Sequence, residues 1–176
     1  MKKLIVVLIV LSMASAANAM GVLVLTISGP DSLVTGATGT YTVGYSGAQI
    51  LAADVDIVVD YGTIGGGVIL TTNNDRALDW LGINCVSGNY EVSIVNDISM
   101  TDLGSPLFSF QFTAPSAIPP SGYAHISLIE NAFFDLNWNQ ITGPDLFLNG
   151  KTVTIPEPMT MGLLGLGTLF LRHRKR

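Results

Sequence analysis

Three aspartates fall close together in ILAADVDIVVDY: Asp54, Asp56 and Asp60. On a β-strand, residues two apart point to the same side about 7 Å from one another. Asp54 and Asp56 therefore bring two carboxylates together, and oxygen ligands of this kind can hold calcium. The D-x-[DN]-x-[DN]-G loop of a dedicated calcium site is absent, and a charged face that discourages sheet-to-sheet pairing is the commoner use of such residues. Asn73, Asn74, Asp75 and Asp79 form a second oxygen-rich stretch open to the same two readings. Calcium is the one cofactor the sequence suggests, and none is required.

Material for catalysis is thin. His125 is flanked on its strand by Tyr123 and Ser127, with no G-x-S-x-G elbow or other activated nucleophile near it. Glycoside cleavage needs two acids facing each other across a cleft, and no segment marks out such a pair. Gly65-Gly66-Gly67 is followed by Val68-Ile69-Leu70 rather than by Lys-Ser/Thr, so it fails as a phosphate loop and reads as a turn. The expectation is a protein that is not an enzyme. Sugar contact has better support: Trp80 and Trp138 lie in polar surroundings (LDW, NWNQ), where an indole face can pack on a pyranose and Asn137, Asn139 and Gln140 can meet hydroxyls. Their alternative use is to plug the ends of a sandwich.

Charge excludes one class of partner. In 20–155, twelve acidic residues are opposed by Arg76 and Lys151, leaving a net charge of −10 that the whole-chain value of −5 conceals. Nucleic-acid affinity comes largely from cations on phosphates, so no nucleic-acid partner is expected. The same charge repels acidic polysaccharide unless divalent cations bridge the two. A single cysteine, Cys85 in LGINCVSG, allows no internal disulfide; it reads as a small buried hydrophobe, with intermolecular pairing or a reactive thiol as the alternatives. The fold must rest on its apolar core.

The elements that would position these residues are strands. Gly, Ser, Thr and Asn punctuate the body, with Val, Ile, Phe, Tyr and Thr between them, the rhythm of an all-β sandwich or barrel. The candidate strands are 21–28, 38–46, 50–61, 67–72, 89–96, 106–113, 123–130, a weak one near 133–138, and 151–155, with a helical turn at 73–80. Alternation turns Val55, Ile57, Val59 and Tyr61 toward the core and Asp54, Asp56 and Asp60 away from it. It likewise points Phe108, Phe110 and Phe112 inward, with Ser109 and Gln111 outward. The fold class expected is an all-β, antiparallel two-sheet sandwich, a jelly roll of about nine strands.

The ends differ in kind from the body. Lys2 and Lys3, the apolar run Leu4–Leu11 and the Ala17-Asn18-Ala19 site read as a secretory signal cleaved after Ala19. At the other end, Pro156 and Pro158 stop a sheet because each lacks an N–H and restricts its predecessor. Residues 159–171 are uncharged and mostly apolar; as a helix they would span about 20 Å, short of the roughly twenty residues a full crossing needs. Arg172, Arg174, Lys175 and Arg176 would stay on the cytoplasmic side. The division expected is 1–19 signal, 20–155 sandwich and 156–176 a short hydrophobic helix that halts export.

Two resemblances follow. Pro-Glu-Pro, a Gly/Leu-rich stretch and an arginine cluster resemble the PEP-CTERM sorting signal. That resemblance implies recognition by a membrane protease or transpeptidase of the exosortase type, with Pro156, Glu157 and Pro158 as the recognition triplet, 159–171 as the membrane segment and Arg172, Arg174, Lys175 and Arg176 as the basic stop. It also implies association with exopolysaccharide, biofilm or the cell surface. GATGTYTVGYS, ADVDIVVDY, GSPLFSFQFT and YAHISLIENAFFDLNWNQI together resemble the cohesin-like sandwich, a nine-stranded jelly roll related in shape to carbohydrate-binding modules, although Asp60-Tyr61-Gly62 replaces the Tyr-Asp-Pro step frequent there. This implies a non-catalytic domain that recognises a protein module or glycan through one flat sheet face. The reading is an exported structural or adhesive protein, anchored transiently in the inner membrane and then placed at the surface or in the matrix, with a polysaccharide or surface protein as partner. The alternatives are a carbohydrate-binding module and a cohesin-type receptor for a dockerin-like partner.

Overall fold

Period-two hydrophobicity decides the architecture. In the computed structural model, which describes residues 21–71, 76–77, 89–96 and 98–157, ordered structure is almost entirely strand. The strands are β1 (Leu23–Ser28), β2 (Thr38–Gly47), β3 (Ala52–Val59), β4 (Thr63–Ile69), β5 (Arg76–Ala77), β6 (Asn89–Val95), β7 (Phe108–Thr113), β8 (Tyr123–Phe134), β9 (Leu146–Asn149) and β10 (Lys151–Thr154). They form two five-stranded sheets, ordered β4-β7-β2-β1-β9 and β10-β8-β3-β6-β5. Most connections cross from one sheet to the other, which is the winding of a jelly roll.

The inner faces make the core. Phe108, Phe110 and Phe112 of β7 are buried as their alternation predicts. Tyr41 of β2 stacks on Phe110 with ring centroids 5.8 Å apart and meets Phe112 edge-on at 5.9 Å, while Tyr90 of β6 reaches Phe110 from the opposite sheet at 6.4 Å. Val55, Ile57, Val92, Ile94, Ile126 and Phe133 complete that side. Burying a side chain of this size contributes about 1.5–3 kcal/mol, so these few residues carry much of the stability.

Four expectations need correction. Tyr61 does not face the core and is 40% exposed, because β3 ends at Val59 and residues 60–62 turn into β4. Ser109, although polar and on the outward side of β7, is nearly covered, since its strand lies between β4 and β2. The triple glycine is no turn: it lies inside β4, where the register against β7 slips between Gly65 and Val68. A Cβ at Gly67 would fall 1.5 Å from Tyr90 Oη, so the missing side chain makes room for that hydroxyl between the sheets. In the stretch expected as a helical turn, Arg76 and Ala77 instead pair antiparallel with Val95 and Ile94, tertiary pairing overriding local propensity; the rest of that stretch lies outside the described residues.

The weak segment near 133–138 contributes its first two residues to a longer β8. A further strand, β9, follows a 3-10 turn at Gly143–Asp145. It pairs parallel with β1, in an otherwise antiparallel set of ladders. One residue later, β10 joins β8 in the other sheet. Gly150 is the crossing point, and a Cβ there would sit 2.6 Å from the carbonyl oxygen of Ile126.

Candidate functional site

The body ends in a locked strand. β10 is paired along one side with β8, and its other side is held by the segment after β1: Thr154 N donates to Asp31 O at 2.9 Å, and Leu33 N to Thr154 O at 3.0 Å. Lys151 Nζ binds the Asp31 carboxylate. Ile155 is buried, and its N–H donates to Gly122 O at 2.8 Å. Pro156 then offers no N–H to extend the ladder. It is half-buried, and Glu157 is exposed, so the first two members of the expected recognition triplet emerge directly from the sandwich. Pro158, the hydrophobic run 159–171 and Arg172, Arg174, Lys175 and Arg176 lie outside the described residues, as does the stretch 1–19 expected to be a secretory signal.

The three aspartates separate into a pair and a single. Between Asp54 and Val55 the register of β3 against β8 shifts, which leaves Asn131 as an extra residue; a bulge of this kind re-aims a side chain. The Asn131 amide donates to Asp54 Oδ1 at 3.1 Å and to Asp56 Oδ1 at 3.0 Å. Asp60, beyond the end of β3, instead accepts the backbone N–H of His125 at 2.7 Å. His125 itself is exposed, with Nδ1 3.1 Å from Thr152 Oγ1. Among the described residues, no group of three or more His, Cys, Asp or Glu is placed to hold a metal ion. Asn73, Asn74, Asp75 and Asp79 lie outside them.

Trp138 sits in a caged loop. Asp135 Oδ1 accepts the backbone N–H groups of Asn137 and Asn139, each at 2.8 Å, and Oδ2 accepts Asn139 Nδ2 at 3.0 Å. Asp135 N donates to Asn139 O, and Trp138 N to Asp135 O. Slight burial pushes the Asp135 carboxyl up, but the hydrogen bonds from Asn139 and Asn137 outweigh it and hold the group below its usual range. The cage keeps Trp138 in the left-handed region at φ 61°, its ring 5.7 Å from that of Phe134 and 45% of its surface exposed. Trp80 lies outside the described residues.

Beside Phe134, the outer face of the second sheet carries a depression of about 230 Å³, lined by Ala52, Asp54, Ser93, Val95, Ala132 and Phe134 among others. Sequence reasoning missed Phe134, Ala132 and Asn131. Joining 123–130 to 133–138 as one strand would have turned Phe134 inward with Ala124, Ile126 and Leu128; the bulge reverses the alternation, burying Phe133 and turning Phe134 outward. The bulge at Asn131 left no mark in the pattern.

No curated protein matches the chain. Among solved structures it is similar to the CARDB domain of a Pyrococcus furiosus protein in complex with di-metal ions, at 12% identity and a TM-score of 0.39 over 78% of this chain and 90% of that one. The PEP-CTERM protein-sorting motif matches residues 154–176, beginning at the last residue of β10. The chain is thus a β-sandwich that carries a PEP-CTERM sorting signal directly behind its final strand.

Proposed function

We propose that this is a non-catalytic exported protein, sorted through its PEP-CTERM tail by an exosortase-type enzyme and placed at the cell surface or in the extracellular matrix, where the sandwich is structural or adhesive in exopolysaccharide. The observation that carries this reading is the sorting motif at 154–176 emerging from a buried and hydrogen-bonded Ile155. A signal attached to a finished domain leaves the processing enzyme a short segment to engage and leaves the cargo intact. The net charge of −10 on 20–155 favours solubility outside the cell.

Deleting residues 156–176 tests it. Fractionation should then find the protein lost from the surface and matrix, and equal delivery of the truncated chain would sink the reading. A second reading, carbohydrate binding, draws on the half-exposed Trp138 held against Phe134.

A further inference from the structure

We propose that the end of the second sheet farthest from the tail is a binding site for a neutral pyranose unit, formed by Trp138, Phe134, Asp54, Asn131, Ser93 and the alanine floor between them. The inference rests on the adhesive reading and deepens it by naming the ligand chemistry and the residues.

Position comes first. β8 begins at Tyr123, beside the Gly122 carbonyl that holds Ile155, and ends at Phe134. Twelve residues of strand extend about 36–40 Å. A sandwich tethered at Ile155 therefore presents Trp138 and the depression at the end away from its anchor.

Shape and chemistry then agree. Across β3 and β8, Ala52 lies opposite Phe134 and Ala132 opposite Asp54, and the two alanines leave a hollow with Phe134 and Val95 at its sides. At about 230 Å³ it is smaller than the roughly 300–1,000 Å³ of sites for drug-sized ligands, which suits one ring resting on the surface better than an engulfed chain. Trp138 and Phe134 supply a ring face for the C–H side of a pyranose. The Asp54 carboxylate accepts from sugar hydroxyls, the Ser93 hydroxyl accepts or donates, and the Asn131 amide fixes the direction of the carboxylate by its hydrogen bond. The left-handed conformation of Trp138 is sparsely populated for a bulky residue and costs about 1–3 kcal/mol, strain that clusters at ligand sites.

Charge selects among sugars. Asp54, Asp56 and Glu91 share the outer face, and Asp135 lies at its end. Among the described side chains the cation Lys151 is already bound to Asp31. Among the described side chains a uronic acid placed here meets like charge, whereas the hydroxyls of a neutral hexose meet acceptors.

The test uses the full chain in detergent, with affinity electrophoresis through soluble β-glucan, galactomannan and, as the acidic probe, polygalacturonate in the absence of divalent cations. At least one neutral polymer should retard the protein. Trp138→Ala should weaken that binding at least about tenfold, the scale of losing an aromatic stacking face. Ala132→Leu, which fills the hollow and leaves the Trp138 loop untouched, should weaken it comparably. Tryptophan emission should shift on adding the neutral polymer in the natural protein and not in Trp138→Phe. The proposal is overturned if neither neutral polymer is bound, if both variants bind as tightly as the natural sequence, or if polygalacturonate binds as well as the neutral probe. Failure here with sorting intact removes the site and leaves the sorting reading standing; normal delivery without residues 156–176 does the reverse.

Discussion

Tyr45 Oη donates to Asp102 Oδ1 at 2.6 Å, and the same carboxylate oxygen accepts the N–H of Ile50 at 2.7 Å. The phenol oxygen in turn accepts from Gly104 N at 2.9 Å, so one acid and one phenol fasten the loop before β7 to the end of β2. Asp102→Ala removes the acceptor for two part-buried donors and should cost about 2–3 kcal/mol, against about 1–2 for Tyr45→Phe. Urea denaturation checks both, and equal, negligible losses would show that the network contributes nothing.

High pH should weaken the fold through two phenols. Burial, followed by the charge of Asp31, pushes Tyr41 up to about 12. Burial, then the hydrogen bond and charge of Asp102, raises Tyr45 as well, with the Gly104 N–H working the other way. Both native pKa values lie above the unfolded value of about 10, so the folded state holds more protons and its stability falls as pH rises beyond that point. Below pH ~10 the contribution is fully present. A urea midpoint that stays flat from pH 9 to 12, on the scale set by the ordinary tyrosine pKa of about 10, would contradict this.

Acid should act on the Trp138 loop before the body. The Asp135 carboxyl is depressed, so its support is present above the usual carboxylate range and is lost as pH falls through the depressed value. Asp135→Ala should reproduce the acid state at neutral pH. Each should red-shift Trp138 emission, measured as the difference from Trp138→Phe, without a change in far-UV circular dichroism; a simultaneous loss of β-structure would refute a local origin.

Two glycines should respond in opposite ways. Gly150→Ala drives a methyl group to 2.6 Å from the Ile126 carbonyl oxygen and should cost about 2–3 kcal/mol, as overpacking against backbone does. Gly65→Ala meets nothing within 4 Å and should be neutral or slightly stabilising, since alanine loses less backbone freedom on folding. Chemical denaturation of the two variants side by side distinguishes them.

Truncation should locate the end of the folded unit. A chain stopped after Glu157 keeps β10 and Ile155 and should melt within about 2 °C of the full chain, whereas one stopped after Gly150 exposes the β8 edge and removes buried Val153 and Ile155. Similar melting of the two would mean that β10 is dispensable.

What could be read in advance was whatever repeats with period two. Val55 and Ile57 against Asp54 and Asp56, or Phe108, Phe110 and Phe112, declare their faces because packing and solvent act on alternate side chains. Leu146–Asn149 is too short to show alternation, and its parallel partner lies more than a hundred residues away in sequence. Tyr61 was misplaced because nothing in the pattern says that the strand stops at Val59. At the candidate site, Trp138 was visible as an aromatic among polar neighbours, but its companions were not. Phe134 owes its position to an unexpected extension of β8, and Asn131 owes its aim to a register slip that only the two strands together create.

The parallel pairing of β1 with β9, followed at once by β10 in the other sheet, ties the first strand of the sandwich to the last. The first sheet is not complete until residue 149 is available and the second not until residue 154, and contacts of such long sequence separation form slowly. For a polypeptide threaded N-terminus first through a translocation pore, closure must wait until the hydrophobic stretch has reached the channel. Under the proposed export, a sandwich closed by its final strand is too wide to slide back, and folding would itself be the ratchet that makes delivery one-way.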